Sequence, residues 1–251
     1  MIKKIFRSKA DIENLSQLKT SPQLQKDNFN YKNVVVNKPW GYEYLAFQNR
    51  YIAIWILYIK SGYETSMHCH PNKKTAMVPL SGAIQFSSLE GWMSIKTRDG
   101  IIIEEEVFHS SKAVSKNGAI LMETESPPNK RDLVRLKDEY GRQEKGYEGK
   151  KSITKKRDSS YVHFNEISRP DRLVRKIGDC SLILCRHHGD WEINRSIENE
   201  PGDLFCLLSG KLHDEAGSTV IEAGEVSPFA DLKNGRKLYT LADTNFLVLS
   251  F

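Results

Sequence analysis

The stretch Gly62-Tyr-Glu-Thr-Ser-Met-His-Cys-His-Pro-Asn-Lys-Lys-Thr-Ala-Met-Val-Pro-Leu-Ser-Gly82 places two histidines two residues apart. In an extended strand, residues i and i+2 point to the same face, so the spacing predicts that His68 and His70 converge. Imidazole nitrogen is a common metal ligand in proteins. The stretch therefore predicts a β-strand that carries two ligands for one ion.

Short apolar runs lie on both sides of the two histidines. Before them, Tyr51-Ile-Ala-Ile-Trp-Ile-Leu-Tyr-Ile59 is rich in β-branched and aromatic residues and is typical of a buried strand. After them, Ala76-Met-Val-Pro-Leu80 ends at the turn pair Ser81-Gly82. This pattern predicts an all-β context with short connections around the histidines.

The spacing of Gly62, His68, His70 and Gly82 resembles the first motif of the cupin superfamily. Cupins are small β-barrels of the double-stranded, jelly-roll type. The position that usually holds a glutamate ligand in that motif is Thr75 here. The resemblance therefore implies a cupin barrel whose metal site lacks one expected ligand.

A later stretch, Asp99-Gly-Ile-Ile-Ile-Glu-Glu-Glu-Val-Phe-His109, resembles the second cupin motif, which supplies the last histidine ligand. Gly100 and His109 match it, whereas Glu104 and Glu106 replace its proline and inner glycine. Upstream, the tripeptide Pro39-Trp40-Gly41 is similar to the start of cupins of the mannose-6-phosphate isomerase type and of related sugar-nucleotide enzymes. The resemblance implies His68, His70 and His109 as the metal ligands.

The chain has 251 residues, of which 39% are hydrophobic. About 125 residues per unit suits two small barrels. Two stretches in the second half resemble the first half, since Phe205-Cys-Leu-Leu-Ser-Gly-Lys-Leu212 parallels 77–84, and 220–226 parallels 102–107. The expected fold class is therefore all-β, with two tandem cupin barrels and a short N-terminal helix.

The expected domain organisation has four parts. Residues 1–30 form an N-terminal extension, in which a capping box starting at Ser8 predicts a short helix over roughly 9–19. Residues 31–128 form the first barrel with the metal site. Residues 129–160 are rich in charge and poor in apolar residues, which predicts a solvated connection. Residues 161–251 form the second barrel.

The second barrel is expected to lack metal ligands. When the two halves are aligned on the Ser-Gly pair, Ser196 and Glu198 correspond to His68 and His70. Alignment on the later strand places Ser227 opposite His109. None of these three residues is a histidine, so the first barrel alone is expected to hold the metal.

The identity of the ion and of its remaining ligand stays open. Neutral imidazoles suit Zn, Mn, Fe or Ni. Glu64 lies on the same strand face as His68, and Glu123 or Glu125 lies on a later strand, so each is a candidate for the missing carboxylate. A metal-free cupin that keeps its histidines as hydrogen-bonding groups is the alternative.

Basic residues near the histidines are candidates for substrate binding. Lys73 and Lys74 follow the histidines directly, and their ammonium groups suit a phosphate or a sugar carboxylate. Arg135 belongs to an Asp-x-x-Arg-x-x-Asp-x-Tyr-Gly-Arg string over 132–142 that is similar to the end of sugar-related cupin domains. Two solvated lysines and a surface ion-pair linker are the alternatives.

Composition limits the partners. The net charge is +5, with 37 basic and 32 acidic residues, which is too balanced to favour nucleic acid, so an anionic small molecule is expected instead. Nothing approaches the roughly 18 consecutive apolar residues of a membrane span. The four cysteines show no Cys-x-x-Cys pairing and no secretory segment precedes them, so we expect reduced thiols in a cytoplasmic protein. A homodimer is possible.

Two classes of function are compatible with these observations. The first is a metal-dependent isomerase or epimerase of sugar phosphates or nucleotide sugars in bacterial surface-polysaccharide metabolism, with Glu64, Lys74 or Glu123 as the catalytic group that moves a proton. The second is a sugar-binding or regulatory bicupin without turnover. An Fe(II)-dependent cupin oxygenase is a further enzymatic alternative.

Overall fold

The computed structural model describes residues 1–18, 29–143, 147–155, 161–167, 172–189, 192–193, 202–232 and 237–251. Two β-rich units follow one another along the chain, and each is built from two sheets. None of the helices in these ranges has the length and apolar character that a bilayer span requires. Apart from a few short helices, the regular structure of the described residues consists of β-strands. The all-β fold class predicted from the strand patterns is therefore confirmed.

The first unit forms a large sheet of eight strands in the order β1-β9-β6-β11-β4-β3-β2-β13 and a small sheet of five strands in the order β12-β5-β10-β7-β8. The strands are β1 (Ile2–Ile5), β2 (Val34–Lys38), β3 (Gly41–Gln48), β4 (Ala53–Ile59), β5 (Met67–Cys69), β6 (Lys74–Ser81), β7 (Ala83–Ser88), β8 (Gly91–Lys96), β9 (Gly100–Ile103), β10 (His109–Ala113), β11 (Ala119–Ser126), β12 (Val134–Lys137) and β13 (Ile153–Lys155).

The order of eight of these strands defines a jelly roll. In the large sheet, β4, β11, β6 and β9 are consecutive neighbours, and in the small sheet β5, β10, β7 and β8 are. The chain thus alternates between two facing sheets, which closes a double-sheet barrel. The remaining strands extend the two sheets at their edges.

The second unit repeats this arrangement. Its strands are β14 (Arg172–Ile177), β15 (Cys180–His187), β16 (Leu204–Leu207), β17 (Lys211–His213), β18 (Thr219–Glu222), β19 (Val226–Pro228) and β20 (Thr244–Ser250). The third sheet has the order β14-β15-β20-β16-β19, and β17 pairs with β18. Single bridges join Glu192 to Tyr239 and Tyr239 to His213, which lies in β17. Glu192, Tyr239, β17 and β18 therefore follow one another in the same order as β5, β10, β7 and β8 of the first unit. The tandem pair of barrels expected from the sequence is confirmed.

The Ser-Gly pairs occupy equivalent turns in the two units. Gly82 follows β6, and Gly210 follows β16, with φ angles of +75° and +72°. Side chains with a Cβ rarely adopt this left-handed conformation, so glycine suits both turns. The alignment that placed Ser227 opposite His109 differs from the structure. Ser227 lies in β19, which corresponds to β9, whereas Tyr239 occupies the position in the second unit that corresponds to β10. Ser196 and Glu198 lie outside the described residues.

Alternation along the strands of the large sheet separates two apolar layers. Trp55 and Leu57 point between the two sheets of the first unit. Ile54 and Ile56 point outward, where they pack against apolar residues of the third sheet such as Leu184. The large sheet is therefore apolar on both faces, which explains the near-continuous apolar run of β4.

The N-terminal helix α1 (Lys9–Gln17) lies outside both barrels. Ser8 and Asp11 form the capping box that the sequence predicts. Leu15 and Leu18 pack against a small cluster on the outer side of the small sheet, which includes Cys69 and Phe108. A 3-10 helix (Lys150–Ser152) and a short helix α2 (Phe229–Leu232) complete the helical structure of the described residues.

The segment 129–160 differs from the solvated connection expected from its charge. Its strands β12 and β13 pair with β5 and β2 and so belong to the first barrel. Lys130, Asp132 and Arg135 are buried. Low apolar content indicates an exposed segment only when charges lack partners, and these charges pair inside the barrel. The strand β1 was likewise not expected in the N-terminal extension, where it pairs with β9.

Candidate metal centre and charged cavity

The three histidines meet at one point of the first barrel. His68 lies in β5 and is the register partner of His109, the first residue of β10, while His70 follows β5 directly. One ring nitrogen from each of the three lies within 4.8 Å of the others. Small side-chain rotations bring three such nitrogens around one ion, since Zn–N bonds measure about 2.0–2.1 Å.

Hydrogen bonds fix the tautomer of all three rings. The Nδ1–H groups donate to the backbone carbonyl oxygens of nearby chain segments, with His68 bonded to Ser66 at 2.7 Å, His70 to Asp132 at 2.6 Å and His109 to Val107 at 2.9 Å. A carbonyl oxygen only accepts, so each Nδ1 carries the proton and each Nε2 keeps its lone pair. In metal-bound histidines of proteins, a hydrogen bond of this kind, from the ring nitrogen that does not bind the metal, orients the ring.

The environment keeps the three imidazoles neutral. Burial lowers the pKa of His68 and His70 well below the ordinary value and the pKa of His109 to about 4. The nearby Lys73 ammonium lowers all three further. The Nε2 atoms of His70 and His109 are buried and have no hydrogen-bond partner in the described part of the chain. Neutral rings with free, converging Nε2 atoms are the donor set that a divalent transition metal requires.

The slot of the fourth ligand holds a hydroxyl group. Thr75 is buried, and its Oγ1 atom has no partner among the described residues. Glu64, Glu123 and Glu125 do not belong to the group of ligand atoms formed by the histidines. The described geometry thus offers three protein ligands and leaves coordination positions for water or substrate.

A cavity of about 50 Å³ adjoins His68 and His70. Beside the histidines, its ionisable lining comes from the large sheet, from the turn before β6 and from the segment 129–160. These groups are Lys38, Glu43, Lys73, Glu123, Glu125, Lys130, Arg135, Arg142, Tyr147 and Glu148. Five cations therefore face four carboxylates in the same enclosed space.

Most of these charges are paired. Lys73 contacts Glu125 at 2.9 Å and donates to the Asn129 carbonyl at 2.9 Å. Lys130 contacts Glu125 at 2.9 Å and Glu43 at 3.3 Å. Burial alone would raise the pKa of Glu43, but the ammonium groups of Lys130 and Lys38 outweigh it and lower that pKa to about 2. The network is held together by charge-assisted hydrogen bonds.

Glu123 differs from the other cavity carboxylates. No ion pair joins it to any group in the described residues, and it is 5% exposed. Burial raises its pKa to about 7, although the Lys130 ammonium opposes the shift. A carboxyl group that titrates near neutral pH in a cavity beside neutral histidines is suited to accept or donate a proton.

The predicted binding residues fall into two groups. Lys73, Glu123 and Arg135 line the cavity, whereas Glu64 and Lys74 do not. Lys74 precedes Thr75 on β6, so strand alternation directs it to the opposite face, where it pairs with Glu104 and Glu225 at 3.5 and 3.6 Å. The backbone of Glu64 forms a bridge with Lys112 beside β10.

Several charged or polar cavity residues were not singled out from the sequence. Lys130, Tyr147 and Glu148 come from the segment that was expected to be solvated, and Lys38 comes from β2. Tyr147 donates to Glu43, and its ring lies 3.9 Å from the Lys38 ammonium. The apolar and aromatic residues within this charged segment, such as Val134, Tyr140 and Tyr147, were the signals in the sequence that the segment packs against the barrel.

Comparison with protein-family models gives no match, and comparison with curated proteins gives none either. Among solved structures, the chain is similar to a candidate sugar phosphate isomerase from Acidithiobacillus ferrooxidans, with a TM-score of 0.31, 19% identity, and 34% of this chain and 56% of that chain covered. It is also similar to a sugar phosphate isomerase from a cupin superfamily from Silicibacter pomeroyi, with a TM-score of 0.30, 11% identity, and coverage of 31% and 52%.

A third similar structure is a cupin 2 conserved barrel domain protein from Leptotrichia buccalis, with a TM-score of 0.33, 11% identity, and coverage of 89% and 91%. The chain spans about half the length of the first two structures and most of the third. All three TM-scores lie below 0.5, and none of these matches assigns the chain to a family.

Proposed function

We propose that this chain is a metal-dependent cupin enzyme of the isomerase or epimerase type, which acts on an anionic sugar derivative in the cavity of the first barrel. The observation that carries the proposal is the set of three buried imidazoles whose Nδ1–H groups are all bonded to backbone carbonyls. This set presents lone pairs to one point, and Thr75 leaves the fourth position open. The proposed ligands are His68, His70 and His109.

The residues of the cavity have separate roles in this proposal. A bound divalent ion supplies Lewis-acid polarisation of a substrate carbonyl or hydroxyl oxygen. The ammonium of Lys73 and the guanidinium of Arg135 hold the anionic group, because both charges are buried beside the histidines. Glu123 moves the proton at the adjacent carbon, since its pKa of about 7 allows it to be either base or acid.

The sugar part of the proposal follows the resemblance of the Pro39-Trp40-Gly41 tripeptide and of the 132–142 string to sugar-related cupins. Two of the similar solved structures are described as sugar phosphate isomerases, one of them as a candidate. Lys74 and Glu64 have no role in this proposal because they lie outside the cavity lining.

A metal titration tests the proposal directly. Chelator-treated wild type is titrated with Zn, Mn, Fe(II) and Ni beside His68→Ala and His109→Ala, with His188→Ala as the control because His188 lies in the second unit and its side chain is 59% exposed. We expect one ion per chain in the wild type and in the control, and about 100-fold weaker binding in the two ligand variants. A wild type that takes up none of these ions, or ligand variants that bind as well, would refute the metal centre.

Turnover is tested separately from metal binding. The metal-loaded chain is incubated with glucose 6-phosphate or mannose 6-phosphate, and NMR follows the sugar signals. Formation of an isomer supports the enzyme. Saturable binding without any change in the sugar supports the non-catalytic binder, and oxygen uptake with Fe(II) alone supports the oxygenase.

A further inference from the structure

A second cavity, of about 550 Å³, lies where the two units meet. We call it the junction cavity; it is bounded by the Arg50–Tyr51 turn of the first unit and by Arg186, Ser209 and Asn245 of the second. It adjoins strand ends of the second barrel, and it shares no lining residue with the histidine cavity. Its volume lies within the range of roughly 300–1,000 Å³ that is usual for small-molecule sites.

Two buried polar atoms at this cavity lack partners. Arg186 in β15 and Asn245 in β20 are register partners on adjacent strands. They lie on the same sheet face as Leu184 and Leu247, at the end of the apolar contact with the first unit. The Nε atom of Arg186 and the Oδ1 atom of Asn245 are both buried without a hydrogen-bond partner in the described residues. A buried polar group without a partner is unfavourable, because it has lost its hydrogen bonds to water and gained none in exchange.

The guanidinium of Arg186 is fixed in place. Its Nη1 atom donates to the Ile167 carbonyl at 2.6 Å, and its Nη2 atom donates to Asp243 at 2.5 Å. These two bonds hold the plane of the group, so Nε–H remains a donor with a set direction. The adjacent Ser209 hydroxyl accepts from the Asn245 backbone N–H at 3.2 Å and keeps its own proton to donate.

A hydroxyl group is the chemistry that satisfies this pair. Arg186 Nε–H needs an acceptor, and Asn245 Oδ1 needs a donor; because their side chains are cross-strand neighbours, one hydroxyl can serve both. A carboxylate oxygen, or an ionised phosphate oxygen, has no proton for Asn245. Two cations of the lining are paired, since Asp243 pairs with Arg186, and Lys211 pairs with Glu222 at 2.6 Å; the two other charged lining residues, Arg50 and Glu166, have opposite signs. The ligand that fits is therefore uncharged.

We propose that the junction cavity is a second ligand site, distinct from the histidine cavity, and that it binds a neutral polyhydroxylated molecule such as a mono- or disaccharide. Hydroxyl groups of the ligand bond Arg186 Nε, Asn245 Oδ1 and Ser209 Oγ. The ring of Tyr51, 37% exposed at the rim, offers an apolar face for the carbon side of a sugar ring. The proposal does not depend on metal binding in the first barrel.

The variants for the test separate binding from folding. Asn245→Leu keeps the number and branching of the side-chain heavy atoms and removes the unmet acceptor, so it leaves the melting temperature unchanged or raises it. Tyr51→Ala removes the rim ring. Tyr63→Ala is the matched control, because Tyr63 is also an exposed tyrosine beside a basic residue, with the Lys60 ammonium 5.6 Å from its ring, and does not line the cavity.

Saturation-transfer NMR on the full chain measures binding of D-glucose, D-mannose, D-galactose, N-acetyl-D-glucosamine and maltose, and broadening of the phosphorus NMR line measures binding of inorganic phosphate, the charged probe. We expect at least one of the sugars to bind the wild type and Tyr63→Ala equally, to bind Tyr51→Ala several-fold more weakly, and to bind Asn245→Leu at least tenfold more weakly. The proposal is overturned if none of the sugars binds, if phosphate alone binds in an Asn245-dependent way, or if Asn245→Leu binds sugar as the wild type does.

Discussion

Single carboxyl groups inside the first barrel differ sharply although they share one cavity. Lys130 and Lys38 hold Glu43 in its charged form, whereas Glu123 has no ion pair among the described residues. Removal of a carboxylate from water raises its pKa unless a nearby cation compensates. The division of the cations between these two residues therefore lowers the pKa of Glu43 and leaves the pKa of Glu123 raised to about 7.

The raised pKa of Glu123 makes stability depend on pH in a defined window. Between the unfolded value near 4.5 and the folded value of about 7, the folded state keeps the proton that the unfolded state has lost. Stability attributable to Glu123 is thus present below that window and falls as pH rises through it, by about 2–3 kcal/mol between pH 5 and pH 8. We expect Glu123→Gln to remove this loss, as measured by urea unfolding of the metal-free chain at each pH.

The lowered pKa values of the three histidines make the free energy of unfolding rise with pH, which is the opposite dependence. Because the histidines are present in both the wild type and Glu123→Gln, their contribution cancels when the two curves are subtracted. Glu90→Gln, at an exposed turn, is the control and should follow the wild type at every pH. Parallel stability curves for wild type and Glu123→Gln would contradict the assignment. With a substrate in hand, the same variant should lower kcat by roughly 10²–10⁴ if Glu123 moves the proton.

For single residues, the sequence predicts part of the candidate metal centre and of the charged cavity beside it. The i, i+2 spacing of His68 and His70 places both on one strand face, and the resemblance adds His109 across the register. Lys73 and Lys74 could not be separated beforehand, because the start of β6 decides which of the two faces the cavity. Lys130 and Glu148 could not be predicted as cavity residues, because a charged segment shows no periodic pattern from which buried ion pairs could be inferred.

Among the elements, helix α1 is linked to the candidate metal centre through one side chain. Asp11 is buried, and its carboxylate accepts from the Ser8 backbone at 2.8 Å and from the Phe108 backbone at 2.9 Å. Phe108 directly precedes His109 in the chain. The capping residue of the helix thus also positions the start of β10.

Replacement of Asp11 should affect both stability and metal binding. Asp11→Ala removes the capping box and leaves a buried N–H without its charged acceptor, so we expect a loss of about 2–3 kcal/mol in the free energy of unfolding. We also expect weaker metal binding, since His109 follows the released amide. Glu13→Ala, exposed in the same turn, is the control. If Asp11→Ala stays within about 0.5 kcal/mol of the wild type, the link between helix and site is wrong.

The whole molecule is organised by the contact between the large sheet and the third sheet. Apolar residues from both units form one buried cluster, with Ile56 and Val78 on one side and Leu184 and Leu247 on the other. Thr124 adds a hydrogen bond to the Gly224 carbonyl at 2.5 Å. Neither sheet could expose this face to water at low cost, so the two barrels depend on each other.

This dependence predicts cooperative unfolding. We expect calorimetry of the full chain to show one transition, and Leu247→Ala to lower it as a unit, with a cost of about 2–5 kcal/mol for a cavity at the interface. Val174→Ala, in the edge strand β14 with 43% exposure, should change little. Two resolved transitions, only one of which shifts in Leu247→Ala, would show that the barrels unfold independently.

The tandem architecture was predictable because turn signals and short apolar runs recur in both halves. Ser81-Gly82 and Ser209-Gly210 mark the same turn of the two jelly rolls. The alignment of the two halves that placed Ser227 opposite His109 was wrong. Short β-strand sequences resemble one another, so two halves of this kind can also be matched with a shift of one strand. The packing of the two barrels was not predictable, since a strand that is apolar on both faces does not reveal what covers its outer side.

The shared sheet-to-sheet contact has an evolutionary consequence. Each unit buries the equivalent sheet against the other, as the two copies do in an isologous homodimer. A duplicated gene whose product already paired in this way would give a fused chain with the same interface. In such a chain, the interface constrains the outer apolar face of both copies, while one copy is sufficient to keep the ligand positions.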